Sequence, residues 1–484
     1  MDNISNTLSE AQIEASRREF GVTPLNEIDL KLIEEVRVSL FSSEVRPPDW
    51  RDRSEESMTA FFQKVQKQIL VAAMNGTMDR IGMPAEAKML RDVSSSKDAS
   101  KRLTQISTKV TDALIGLGLL EPLLRDDKVE EIFVRDGSVA VEKGGILMHL
   151  GKMASDDYFY RIAVYVADQS GSSLRAEQPA VLTDLPDGQR FTAIVPPLSR
   201  SGTSINIRCF GRKDFSLADI ESVGSFTYVP ERQVDPLQMV LDVATQEAIM
   251  SLETSPARYL AWVAASLSGS ALIAGDFSGG KTTLLNALSA FFPTNASVAV
   301  LETFHELQLR HPFQVRVVAP AELSKGEKGV TLSWVLNTIY TRMNPGLIAL
   351  GEIVVPREAI EFLRATNFGR VAFTTIHGDS VKAALARLEG LALAAEPDLG
   401  LSAIRDLVAL GVKVVILTKH VGIGRVDDDN SVSRYVSEIA LVSPSGDEEK
   451  HGYSVKTIYR ADNSETSLEG ESLLMQSWNS IDDK

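Results

Sequence analysis

One cysteine, Cys209, stands in a chain of 484 residues. A single thiol forms no intrachain disulfide, and a reducing cytoplasm is the compartment it fits. Long apolar runs are missing too. The stretch "YLAWVAASLSGSALIAG" (259–275) is broken by serine and glycine, so it falls short of the roughly 20 apolar residues of a transmembrane helix. The opening "MDNISNTLSEAQIEAS" is polar and acidic, which suits neither a secretory signal nor a transit peptide. Positive charge is scarce: 50 Lys and Arg against 65 Asp and Glu leave a net −15. That balance argues against a protein that coats nucleic acid, because neutralising phosphates needs a positive surface. Internal repeats and long low-complexity tracts are absent as well.

What remains has globular proportions, with 44% apolar and 24% charged residues, and a length that suits two to four domains. Residues 1–25 read as poorly ordered. Ile28, Leu32, Val36 and Leu40 recur at four-residue spacing, and Phe61, Phe62, Val65, Ile69 and Ala73 form a second apolar stripe. These are core faces of a helical bundle over 26–98. A third amphipathic helix over 99–116 opens an α+β domain over 99–212, in which "RDGS", "KGG" and "PDG" turns separate β-rich runs. Residues 213–245, with Pro230 and Pro236, read as a connection. Over 246–425, helices alternate with the apolar runs "ALIAG", "SVAVLE", "QVRVVA", "LIALGE", "VAFTTI" and "VKVVILT". That alternation predicts a largely parallel sheet covered by helices, an α/β fold. Residues 426–484 hold two further strand-like runs and an acidic tail.

Within the α/β region, "GDFSGGKT" places Gly275, Gly280, Lys281 and Thr282 at the spacing G-x-x-x-x-G-K-[ST], between a strand and a helix. Gly275, Ser278, Gly279, Gly280, Lys281, Thr282 and Thr283 form the candidate phosphate cradle. The glycines let backbone N–H groups turn inward, and the helix that follows aims its positive end at the same anion. ATP with Mg²⁺ is the expected ligand, Lys281 reaching the β- and γ-phosphates and the Thr282 hydroxyl joining the metal shell. Hydrolysis also needs carboxylates. Glu352 closes the strand "LIALGE", placed to face the metal and the γ-phosphate. Glu302 and Glu306 follow another strand at the edge where α/β sheets bind ligands, and on the residues alone they are equally well solvated charges. His377 ends "FTTIH", where a lone histidine is more often a packing residue.

Taken together, these blocks resemble the type II/type IV secretion traffic ATPases, with most likeness to the tight-adherence (Tad/Flp) pilus branch. The resemblance runs over about 100–460 and is carried by "GLGLLEPLLRDDKVEEIFV", "LPDGQRFTAIVPPLSRSGTSINIRCF", "LETFHELQL", "RMNPGLIALGEI" and "TTIHGDSVKAALARLEGL", in order. It implies a RecA-like P-loop ATPase domain after an α+β (PAS-like) N-terminal domain and the helical bundle, and a homohexamer with ATP between the two domains of a subunit. Carried over by position, Glu306 belongs to the acidic box, Glu352 to Walker B, and His377 to γ-phosphate sensing. Arg190 and Arg208 approach the γ-phosphate from the N-terminal domain. The implied output is pilus assembly or protein secretion, delivered to an inner-membrane platform by a cytoplasmic protein peripheral to that membrane. Direct contact with nucleic acid is not expected.

The sequence departs from the pattern at four places. Thr303 follows Glu302 where an aspartate is usual, and Pro345-Gly346 stands for Pro-Asp. Val354 replaces an arginine and Arg370 a histidine. If one of these positions contributes a charge-assisted hydrogen bond of ~1.5–3 kcal/mol, its loss slows hydrolysis by roughly one to two decades. Arg357 and Arg370 are the candidates to compensate. A ring that binds ATP without hydrolysing it is therefore the competing expectation, with a DNA-translocating motor behind it.

Overall fold

The computed structural model describes residues 9–48, 54–92, 96–209, 241–321, 329–420, 434–445 and 452–461. The chain divides into two compact units. One comprises Ser9–Pro196 with Gly202–Asp214, and the other Phe215–Lys484 with Pro197–Ser201 and Met1–Leu8.

The first unit begins with a helix where disorder was expected, α1 (Glu10–Phe20). Its composition is polar, so hydropathy gives no sign of it. The Ser9 and Gln12 side chains cap each other's backbone N–H, and Gly21 closes the helix at φ 63°, satisfying groups that a helix end leaves open. Arg17 Nε then donates to the Leu150 carbonyl at 2.7 Å, fixing α1 on the sheet. Four helices follow, α2 (Glu27–Ser42), α3 (Glu55–Met74), α4 (Thr77–Ile81) and α5 (Pro84–Arg91), then α6 (Lys97–Leu114) and the single turn α7 (Glu121–Leu124). The strands β1 (Glu131–Arg135), β2 (Ser138–Lys143), β3 (Ile146–Lys152), β4 (Ala180–Asp184), β5 (Arg190–Ile194) and β6 (Ser204–Arg208), with α8 (Asp156–Gln169) between β3 and β4, complete the unit.

The sheet is antiparallel in the order β3-β2-β1-β6-β5-β4. Asp136 and Gly137, both at positive φ, form the two-residue turn that the "RDGS" run announces between β1 and β2. One apolar cluster runs from Leu32, Val65, Ile69 and Ile106 on the helices to Ile132, Phe159, Phe191 and Ile205 on and beside the sheet. The expected boundary near residue 98 therefore separates no two cores.

Inside that sheet Arg135 is buried, its guanidinium donating to Val134 O at 2.8 Å, Ile205 O at 3.0 Å and Asn206 Oδ1 at 2.6 Å. Asn206 in turn donates to Glu131 at 3.1 Å. Breaking such a network strands a buried charge, so Arg135→Ala is expected to lower stability by about 3–5 kcal/mol, read as a lower urea midpoint.

In the second unit, α9 (Val243–Met250) and α10 (Ser255–Ser266) precede the alternation that the apolar runs predict. It consists of β7 (Ala271–Gly275), α11 (Lys281–Leu288), β8 (Val298–Glu302), β9 (Gln314–Val318), α12 (Leu332–Arg342), β10 (Leu347–Glu352), α13 (Pro356–Asn367), β11 (Val371–His377), α14 (Val381–Ala395), α15 (Gly400–Gly411) and β12 (Val414–His420). The edge strands β13 (Arg434–Pro444) and β14 (Tyr453–Arg460) are antiparallel additions to the same sheet, whose order is β14-β13-β12-β7-β11-β10-β8-β9. The segment expected apart at 426–484 thus contributes two strands to the α/β sheet, while its acidic tail beyond 461 lies outside the described residues, as does most of the expected connection over 213–245. From β7 the chain crosses to β8 on one side, and β12 lies on the other. A crevice opens at such a reversal, at the carboxyl ends of the strands. No described helix is long and apolar enough to cross a membrane.

Candidate functional site

The phosphate-loop spacing lies at that reversal, between the last residue of β7 and the first of α11. Gly275 is in register with His377 on one side and Thr418 on the other. A Cβ on Gly275 would sit 2.4 Å from Thr418 Oγ1 and 2.5 Å from the Thr418 carbonyl, so close passage of backbone on backbone requires glycine here. Ser278 at φ 58° and Gly280 at φ 88° reverse the chain so that the loop closes on itself, Gly279 N–H donating to Asp276 O at 3.1 Å.

Lys281 is 7% exposed, and its ammonium donates to Gly275 O at 3.1 Å and Asp276 O at 3.0 Å. Burial pushes its pKa down, opposed by the negative charges of Glu352, Asp276 and Glu306. Thr282 is half-buried and Thr283 exposed on the first turn of α11.

Three strands bring the remaining groups to the same edge. Glu352 ends β10 and His377 ends β11. The imidazole joins lysine to glutamate, with Nδ1 3.3 Å from Lys281 Nζ and Nε2 2.9 Å from Glu352 Oε1. An ammonium offers only protons, so the Nδ1 that faces it is the bare nitrogen and the ring proton sits on Nε2, towards the carboxylate. The Phe277 ring lies 4.0 Å from the imidazole, centroid to centroid, although it is 83% exposed. Glu352 Oε1 is sealed from solvent yet accepts no aligned hydrogen bond. Among the described residues the Thr282 hydroxyl has no partner. An underused carboxylate oxygen and an open hydroxyl beside the cradle are hard oxygen donors, the set that Mg²⁺ takes.

The two acids at the end of β8 and just past it separate cleanly. Glu302 is buried, and its Oε1 accepts from the N–H groups of Glu306 at 2.8 Å and Leu307 at 2.5 Å. It builds the turn that holds Glu306, whose own carboxylate is exposed and acts on Lys281 through space.

Arg190 and Arg208 belong to the other compact unit. They are register partners on β5 and β6, both exposed, within a charged row Asp184–Arg190–Arg208–Glu131 that crosses four strands. The two arginines expected to compensate for the altered positions do not face the cradle. Arg357 is tied to Glu396 at 3.2 Å, drawn to the carboxyl end of α14 by that ion pair. Arg370 precedes β11, at the amino ends of the parallel strands, opposite the phosphate loop.

One arginine at the loop escapes sequence reasoning. Arg434, the first residue of β13, donates from Nε to Ser278 O at 2.7 Å. No motif marks it. Strand pairing alone carries it to the loop, 156 residues away in sequence.

Residues 232–422 match the family model described as Type II/IV secretion system protein. The VirB11 protein of the Brucella suis type IV secretion system is 29% identical over 333 residues, which cover 66% of this chain and 87% of that protein. A Mycobacterium tuberculosis protein named for conjugal transfer is 28% identical over 340 residues, covering 68% of this chain and 85% of the relative. The crystal structure of the Brucella suis VirB11 ATPase in complex with sulphate aligns with a TM-score of 0.53 at 24% identity, over 66% of this chain and 94% of that one. This last likeness is one of fold.

Proposed function

We propose that this chain, whose residues 232–422 match the family model described as Type II/IV secretion system protein, is a motor ATPase that couples ATP hydrolysis to pilus assembly or protein secretion. The observation that carries this reading is the Lys281–His377–Glu352 contact chain at the mouth of the phosphate loop. The loop N–H groups and Lys281 bind the β- and γ-phosphates, the ammonium exchanging its two carbonyl partners for phosphate oxygens. His377, on the same contact chain, would sense the γ-phosphate. Thr282 and Glu352 would hold Mg²⁺, which when bound neutralises charge on the phosphate oxygens. Glu352, or Glu306 on its fixed turn, orients the attacking water. Arg190 and Arg208 supply positive charge at the γ-phosphate when the enzyme closes. Arginine suits that task, because its planar fork meets phosphate oxygens in two directions.

The working form we infer is a homohexamer of the tight-adherence pilus type, cytoplasmic and peripheral at the inner membrane, where a platform protein receives the movement. A second reading, a ring that binds ATP without turnover, draws on Val354 and on the aim of Arg357 and Arg370 away from the cradle. The conjugal-transfer name of one relative raises a motor on DNA, against which the net charge of −15 weighs. Steady-state ATP hydrolysis by the purified chain, with ATP binding measured alongside, separates the first two readings, and salt-sensitive DNA binding would mark the third. Turnover supports the motor, binding alone moves the conclusion to the second reading, and loss of both ends them. Arg208→Ala is expected to lower kcat while ADP affinity holds, and an unchanged kcat would remove that arginine from the site.

A further inference from the structure

We propose that Arg434 is a phosphate-binding residue of this nucleotide site, delivered by the C-terminal hairpin of the same compact unit. The inference rests on the nucleotide-binding reading and adds a group that the phosphate-loop motif does not contain. Register places it: Thr418 of β12 pairs with Gly275, and His420, two residues on, pairs with Arg434. The first residue of β13 therefore stands just beyond the point where the chain leaves β7 for the loop.

Two independent contacts then aim the side chain. Its Nε donates to the Ser278 carbonyl at 2.7 Å. Its Cδ lies 3.3 Å from where a Cβ on Gly280 would be, so the stem crosses the amino end of α11, where the orphan N–H groups and the helix dipole favour an anion. With Nε spent on the loop, the two Nη groups have no partner among the described residues. A fixed fork of four N–H donors is thus held at the rim of an anion-binding loop.

The sheet order says which phosphates it meets. Glu352 on β10 and the Glu302–Glu306 turn after β8 lie on one side of β7, and β12 and β13 on the other. A nucleotide that sets its metal and γ-phosphate against the acids turns its α- and β-phosphates towards Arg434. Those groups are present in both ATP and ADP, so Arg434 contributes to ground-state binding of either nucleotide.

Titration of the full chain with MgATP and with MgADP tests this, using wild type, Arg434→Gln, Arg434→Lys and Lys281→Ala. Arg434→Gln keeps a neutral N–H donor for the Ser278 carbonyl but removes the charged fork. It is expected to weaken both nucleotides by a similar factor of about ten, the scale of one charge-assisted hydrogen bond. Arg434→Lys should fall between the two, because a point charge cannot hold loop carbonyl and phosphate together. If Lys281→Ala loses nucleotide and Arg434→Gln binds both like wild type, Arg434 merely props the loop and the inference is overturned. A loss confined to ATP overturns the placement at the α- and β-phosphates. If Lys281→Ala itself binds like wild type, the nucleotide reading fails first, and the Arg434 assignment falls with it.

Discussion

Glu352→Gln is expected to lower kcat for ATP hydrolysis by about 10²–10⁴-fold, the usual contribution of a positioned acid–base group, while ATP still binds. The substitution conserves shape and removes one negative charge at the end of β10. Three consequences converge on the chemical step. The oxygen that is sealed and underused in this structure ceases to be an anionic donor for the metal shell. The attacking water loses its strongest acceptor. His377 Nε2, 2.9 Å away, loses the carboxylate that its proton faces. ATP affinity depends instead on loop N–H groups and Lys281, which the change does not touch. Measured together, turnover and binding must come apart. If the variant hydrolyses ATP at the wild-type rate, the role passes to Glu306, whose turn Glu302 builds.

Gly275→Ala should act on binding instead. The added methyl would lie 2.4 Å from Thr418 Oγ1 and 2.5 Å from the Thr418 carbonyl. Thr418 cannot withdraw freely, since its hydroxyl donates to Ala274 O at 3.1 Å and β12 is paired on both sides. The loop must move. Overpacking of this kind costs about 1–3 kcal/mol of stability. The larger effect falls on the nucleotide, because Gly275 O also holds the Lys281 ammonium. Losing the aim of two charge-assisted donors weakens ATP by roughly a hundredfold or more. Gly390→Ala is the control. It lies inside α14 with nothing within 4 Å of the new methyl, so it should bind ATP normally and gain about 0.5–1 kcal/mol of stability. Equal affinities for the two variants would mean that the approach of β12 does not shape the cradle.

Much of the second unit was legible in the sequence because its signals are local. A buried parallel strand is a short apolar run, and all six such runs from "ALIAG" to "VKVVILT" became strands. The phosphate loop is a contiguous motif, and Glu352 and His377 each end a readable strand. What was hidden depends on pairing or on backbone capping. α1 is held by the Ser9–Gln12 cap and by Arg17 on β3, neither of which shows as hydropathy. Glu302 and Glu306 look alike four residues apart, yet two N–H donors bury one and leave the other exposed. Arg357 and Arg370 were chosen by nearness in sequence to altered motif positions, but an ion pair and the wrong end of a strand take them elsewhere. Arg434 reaches the loop only because β13 runs antiparallel to β12.

Among its described residues the first unit has no seam. Its outer helices and its six-stranded sheet share one apolar cluster from Leu32 to Ile207, so no plane of weak contact lies between them where slip could absorb a push. Force entering through α2 or α3 would reach β1, β5 and β6 through packed side chains, and β5 and β6 carry Arg190 and Arg208. A protein that gripped those helices would thereby press on the sheet that carries the two arginines, with the bundle as its handle.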